Sequence, residues 1–149
     1  MNKNELMGFI QEHADEDDFT GGASRAEIAS IAEQLQVVLP ESYKWFLENY
    51  GAGGLYGVDI LGVGKAAIPS VVAQTRRLRN LGLPVTYVVI EDCGEFCYCL
   101  DTEAARDNEC PVVAWERGAG FNGQRADDFY AFLSERLSDA QENWDDEED

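Results

Sequence analysis

Apolar positions in the first third of the chain recur at helical intervals. Leu6, Phe9 and Ile10 predict a short helix from about residue 4 to residue 13, and Ile28, Ile31 and Leu35 predict a second over 24–36. Tyr43, Phe46, Leu47 and Tyr50 predict a third over 40–50, because intervals of three, four and seven place side chains on one stripe. The punctuation agrees with the period. Ser24 followed by Glu27 reads as a capping box. Pro40 suits a helix start, and Gly51, Gly53 and Gly54 follow Tyr50 with the positive φ that a sharp exit requires.

Beyond residue 54 the period changes. Residues 55–63 read as two short strands or one bent strand, interrupted by Gly57 and Gly62. Ser70 is expected to cap a helix reaching about Leu81, and residues 85–90 are rich in β-branched side chains. With a turn at Gly94 and alternation over 96–100, they predict a hairpin. Phe96, Tyr98 and Leu100 should share one face, Cys97 and Cys99 the other. Pro111 introduces a strand at 112–116, and a glycine-rich loop over 118–123 leads to a last helix beginning near Asp127 or Asp128. That helix buries Phe129, Phe132, Leu133 and Leu137. Helices first, a mostly antiparallel sheet and a closing helix predict an α+β fold. The expected organisation is one domain over 1–138 and an acidic tail over 139–149.

Charge changes the functional picture more than composition does. The 149 residues hold 29 Asp and Glu against 11 Lys and Arg, a formal net charge of −18. A polyanion repels phosphate backbones and anionic lipid surfaces, which argues against nucleic acid and membranes as partners and favours a basic protein. Asp139, Glu142, Asp145, Asp146, Glu147, Glu148 and Asp149 place seven carboxylates in the tail, which by self-repulsion is expected to fray beyond Trp144. No apolar run approaches the roughly 20 residues needed to span a bilayer. The opening residues MNKNELMGFIQEH lack a basic leader with an apolar stretch, so a cytoplasmic location is expected.

Candidate chemistry thins out on inspection. The acidic loop over 12–18 lacks the spaced ligands and distal glutamate of a calcium-binding EF-hand. Cys93, Cys97, Cys99 and Cys110 lack the paired spacing of a zinc ribbon, and alternation separates them, so reduced thiols are expected. His13 is the single histidine and sits in an acidic segment, poorly suited to a catalytic triad. Gly51 to Gly57 follows a helix where a dinucleotide fingerprint follows a strand, and residues 62–65 lack the frame of a P-loop. No cofactor, metal or catalytic residue is expected. The carboxylate pairs Asp92 with Glu95 and Asp101 with Glu103 are unremarkable in so acidic a chain. Arg76, Arg77 and Arg79 form the one dense basic cluster, expected to lie on a solvated face or to pair with carboxylates.

One longer pattern adds to this. LP at 39–40, SYKWFL at 42–47, YGAGG at 50–54 and the segment around 58–62 follow an amphipathic helix ending at Leu35, and together they resemble the SUKH superfamily. The similarity continues through VVIEDCGEFCYCLDT at 88–102, ECPVVAWERGAGF at 109–121 and ADDFYAFL at 126–133. That superfamily groups a yeast cell-wall assembly regulator with many bacterial proteins that neutralise toxins of neighbouring cells. The resemblance implies a non-enzymatic immunity protein that binds a cognate toxin domain, which the charge suggests is basic and nuclease-like. The eukaryotic members suggest instead an interaction or regulatory scaffold module. Candidate partner-binding residues are Asp92, Glu95, Asp101 and Glu116, an acidic rim, around the aromatic anchors Tyr56, Tyr98, Trp115 and Phe121.

Overall fold

The computed structural model describes residues 1–148. Its elements are α1 (Lys3–His13), α2 (Arg25–Leu35), α3 (Glu41–Tyr50), α4 (Ser70–Arg79), β1 (Tyr87–Asp92), β2 (Phe96–Asp101), β3 (Val112–Glu116), β4 (Gly120–Ala126) and α5 (Phe129–Glu148). The four strands form one antiparallel sheet in the order β1-β2-β3-β4. The fold is the α+β arrangement expected.

The expected stripes build the core. Leu6, Ile10, Ile28, Ile31, Leu35, Tyr43, Phe46, Leu47, Phe129, Phe132, Leu133 and Leu137 are all buried together with Val88, Ile90, Leu100 and Val112 of the sheet. Alternation in β2 sends Cys97 and Cys99 to the opposite face, where they pack with Leu78, Leu83, Tyr87, Val89, Val113 and Trp115. Thus α4 covers one face of the sheet, and the other helices fill the second. All four cysteines are free thiols; the Sγ atoms of Cys97 and Cys99 lie 3.5 Å apart.

Helix starts are set locally in two cases and from a distance in a third. Asn2 with Glu5, and Ser24 with Glu27, form reciprocal capping boxes on α1 and α2. The helix α3 follows Pro40, which offers no side-chain cap. Its amide groups are met instead by the β2–β3 connection: Glu41 N–H donates to the Asn108 carbonyl at 2.9 Å and Ser42 N–H to Glu109 Oε2 at 3.0 Å. The Ser42 hydroxyl donates to the other Glu109 oxygen. A carboxylate at a helix N-terminus satisfies orphan donors and complements the dipole.

Burial lifts the Glu109 carboxyl above its ordinary range, and the bonds from Ser42 oppose that lift. The folded state therefore keeps this proton to higher pH than the unfolded chain does. Its contribution to stability is complete below the ordinary glutamate pKa and is lost as pH rises through the raised value. Glu109→Gln should flatten this part of the stability profile, measured as urea midpoints between about pH 4 and pH 7. Glu109→Ala removes the acceptor and should cost about 1–3 kcal/mol. An unchanged midpoint in the alanine variant would show that water caps α3 equally well.

Four segments depart from the sequence expectations. Residues 55–63 are not strands: the backbone makes isolated bridges from Gly53 to Phe19 and to Ile60, and left-handed residues from Gly51 to Gly57 interrupt extension. Ser70 does not cap α4. Pro69 is the N-cap residue, and the Ser70 hydroxyl bonds the backbone of Gly62. The glycine-rich loop over 118–123 contains the start of β4, whose pairing is imposed by β3 despite positive φ at Gly120 and Gly123. The acidic end, expected to fray beyond Trp144, continues α5 through Glu148. Asp128, one of the two residues expected near the helix start, accepts from Ala131 N–H.

The basic cluster of α4 is dispersed by the fold. Arg79 turns inward and donates to the carbonyls of Leu35 and Tyr87, Arg77 lies 3.9 Å from Asp92, and Arg76 is exposed.

Candidate functional site

An antiparallel order of four strands puts the turns after β1 and β3 at the same end of the sheet. Asp92, Glu95, Glu116 and Phe121 gather there. Trp115 pairs with Phe121 across the β3–β4 ladder, but Trp115 is 5% exposed and Phe121 is 62% exposed. The rim is less acidic than its carboxylates suggest. Asp92 accepts from Gln74 and from Gly94 N–H and faces Arg77, while Arg117 joins Arg77 in lining a recess of only about 20 Å³.

Two of the candidate residues lie elsewhere in the sheet. Tyr98 faces α5, with its ring 4.9 Å from Phe132 and the Arg136 guanidinium 5.5 Å from its centroid. Burial, first among its causes, pushes the Tyr98 phenol up. Asp101 ends β2 at the opposite end of the sheet, about 15–20 Å from the Glu95 turn at the usual rise per strand residue. The eight candidates therefore do not form one surface.

Tyr56 belongs to a different and more acidic region. It adopts φ +55°, and its hydroxyl lies 2.8 Å from His13 Nδ1. Its ring is 5.9 Å from Trp144, and the His13 ring is 4.4 Å from Phe9. The end of α1, the glycine turn after α3 and the far part of α5 thereby meet. Beside them opens a recess of about 420 Å³ lined by Asp15, Asp17, Asp18 and Asp59 together with Tyr56 and Trp144. Among the described residues no Lys or Arg lines it. Asp18 shapes one wall, its carboxylate accepting from Asp15 N–H and its carbonyl accepting from Gly54 N–H.

The sequence showed the acidic loop but not its neighbours. The carboxylates of 12–18 were visible only as an incomplete calcium pattern, and nothing local joins residues 13, 56 and 144. Among the described residues, no group of three or more His, Cys, Asp or Glu side chains is arranged to hold a metal ion. No helix among them is long and apolar enough to cross a membrane.

A family model described as SMI1-KNR4 cell-wall, SUKH_5, matches residues 4–138. The chain belongs to this SUKH family. Its match begins in α1 and ends within α5, so every strand and the glycine turn are included. A crystal structure of a protein from Pseudomonas syringae pv. tomato shares the architecture, with a TM-score of 0.74 at 16% identity. The alignment covers 91% of this chain and 98% of that one, so the likeness is of the whole SUKH fold rather than of a fragment.

Proposed function

We propose that this chain is a non-enzymatic, cytoplasmic immunity protein that neutralises a cognate toxin domain by binding it through acidic surface. The toxin is basic and nuclease-like. Membership of the SUKH family supports the class of function, and the net charge of −18 supports the sign of the partner. The observation that carries the reading furthest is the recess around Tyr56, in which four aspartates and two aromatic rings meet and, among the described residues, no Lys or Arg takes part.

Aromatic faces and carboxylates together recognise guanidinium and ammonium groups, the groups that a nuclease presents to its phosphate substrate. The overall field raises the encounter rate, and the recess anchors a cation after contact. Asp92, Glu95 and Glu116, with Phe121, supply a second acidic edge at the sheet end. Binding there or in the recess excludes nucleic acid by occupying its groove and by opposing its charge.

Survival tests the proposal directly. Cells expressing a cognate nuclease toxin domain should survive when this chain is co-expressed, and the two proteins should purify as a complex. Asp17→Lys combined with Asp59→Lys should weaken that complex by about tenfold or more. Raising salt should weaken it further. Full binding by the double variant would remove the recess from the interface, and absence of both rescue and complex would overturn the immunity role. The latter result would favour a regulatory interaction module, consistent with the cell-wall description that the matching family carries.

A further inference from the structure

Strand β4 carries a reactive dipeptide. Of the chain's seven asparagines only Asn122 precedes a glycine, and Asn122 is exposed on an outer strand of the sheet. The ladder pairs Trp115 with Phe121 and Val113 with Gln124, so Ala114 alone stands opposite both Asn122 and Gly123. Two residues against one make a bulge, which takes this part of the strand out of regular pairing. Gly123 has φ +92°, and the nearest atom that a Cβ there would meet is the end of the Arg125 side chain, at 3.7 Å. Among the described residues the Asn122 side chain makes no hydrogen bond.

This setting exposes the Asn122 carboxamide to its own chain. Attack of the Gly123 backbone nitrogen on Asn122 Cγ closes a five-membered ring, and glycine puts no Cβ in the way of the backbone rotation that closure needs. The other six asparagines are held differently. Asn2 caps α1 with its side chain, and Asn4, Asn49 and Asn143 lie within helices, where Asn49 Nδ2 also donates to the Trp45 carbonyl at 2.8 Å. Asn80 and Asn108 precede Leu81 and Glu109, whose N–H groups donate to the carbonyls of Leu78 and Arg106. An amide nitrogen engaged in this way is turned from the side chain before it.

We propose that Asn122 is a spontaneous modification site, at which the chain converts itself into a more acidic form. The Gly123 nitrogen attacks Asn122 Cγ, the Cγ–Nδ2 bond breaks, and ammonia leaves with the proton that the Gly123 nitrogen gives up. Water then opens the cyclic imide at either carbonyl. One opening gives aspartate at position 122, and the other gives isoaspartate, in which the main chain runs through Cγ. Water is the single co-reactant in this balance. Either product makes the net charge of −18 more negative by one and places the new carboxylate next to Phe121 in the strand. Isoaspartate also lengthens the backbone at the bulge by one atom, which loosens the pairing of Phe121 with Trp115. The modification needs no partner and is separate from toxin binding.

Ageing the intact protein tests this. Samples held for several weeks at physiological temperature and mildly alkaline pH are digested with trypsin, and the fragment over 118–125 is followed by mass spectrometry beside a synthetic peptide of the same residues. The fragment should gain one mass unit at Asn122, at a rate within about tenfold of the free peptide's, because opening an unpaired bulge costs little. The product should separate into two isomers, one of which accepts a methyl group from an isoaspartyl methyltransferase. Asn122→Ser should abolish both signals while circular dichroism stays native. A rate more than about tenfold below the peptide's would show that the sheet protects the dipeptide and would overturn the proposal. A mass gain placed instead at Gln124 or at another asparagine, or aspartate without its isomer, overturns it as well.

Discussion

Arg136→Ala is expected to lower the free energy of unfolding by about 3 kcal/mol, among the largest effects of any single surface-reaching residue. The reason begins with an irregularity in β1. Val89 pairs with Cys99 and Glu91 with Tyr98, leaving Ile90 as an extra residue in the strand. A bulge of this kind resets the alternation of side chains. Ile90 and Glu91 both turn toward the helices, and the Ile90 carbonyl accepts from Leu61 N–H. Glu91 is 4% exposed, and both its oxygens accept from Arg136, at 2.9 and 2.7 Å. The guanidinium also lies over Tyr98. Removing Arg136 leaves a carboxylate buried without its partner, which costs far more than the pair contributes. The expected value stands at the low end for a buried pair because the Arg136 side chain keeps 27% exposure. Glu91→Gln with Arg136→Met should recover most of the loss, since neither charge then remains. Urea unfolding of the two variants decides the matter. A loss below about 1 kcal/mol in the alanine variant would place the pair in the weak class of surface bridges.

Gly53→Val should destabilise the chain by about 2–6 kcal/mol and lower its thermal midpoint sharply. Gly53 has φ +117°, and a Cβ there would stand 2.1 Å from the Asp18 carbonyl oxygen. The same residue bridges both Phe19 and Ile60, so neither neighbour is free to retreat. Backbone strain of about 1–3 kcal/mol and overpacking of similar size together cost about 2–6 kcal/mol, a large share of the roughly 5–15 kcal/mol that holds a domain folded. Gly57→Ala is the matched control. Its φ is +85°, but a Cβ there meets nothing within 4 Å, so only the cost of left-handed strain, about 1–2 kcal/mol, is expected. Circular dichroism and thermal unfolding of both variants separate crowding from strain. An unchanged thermal midpoint in Gly53→Val would show that the turn after α3 relaxes as a unit.

These two positions mark how far the sequence can be read. The glycine turn, the hairpin faces and the α1–α3 stripes are local patterns, and they stand in the structure where the periodicity places them. The bulge at Ile90 is invisible in a run of β-branched residues, yet it decides whether Glu91 meets solvent or Arg136. Likewise β4 has the composition of a loop, and only the partner strand β3 makes it extended. For the candidate site the gap is wider. Trp115 and Tyr98 were plausible anchors by type, but the sheet buries the first and α5 covers the second, while Asp15, Asp17, Asp18 and Asp59 converge from separate segments.

The sequence by itself determined the α+β class, the helices that carry the core, the family resemblance and the charge that favours a basic partner. Each rests on a period, a spacing or a sum, and these survive without knowledge of distant contacts. Tertiary structure alone decided that Glu109 caps α3, that Glu91 pairs with Arg136, and that Asp15, Asp17, Asp18 and Asp59 line one recess with Tyr56 and Trp144. Those outcomes depend on which segments the packed core brings within hydrogen-bonding and Coulombic reach, and sequence separation carries no record of that distance.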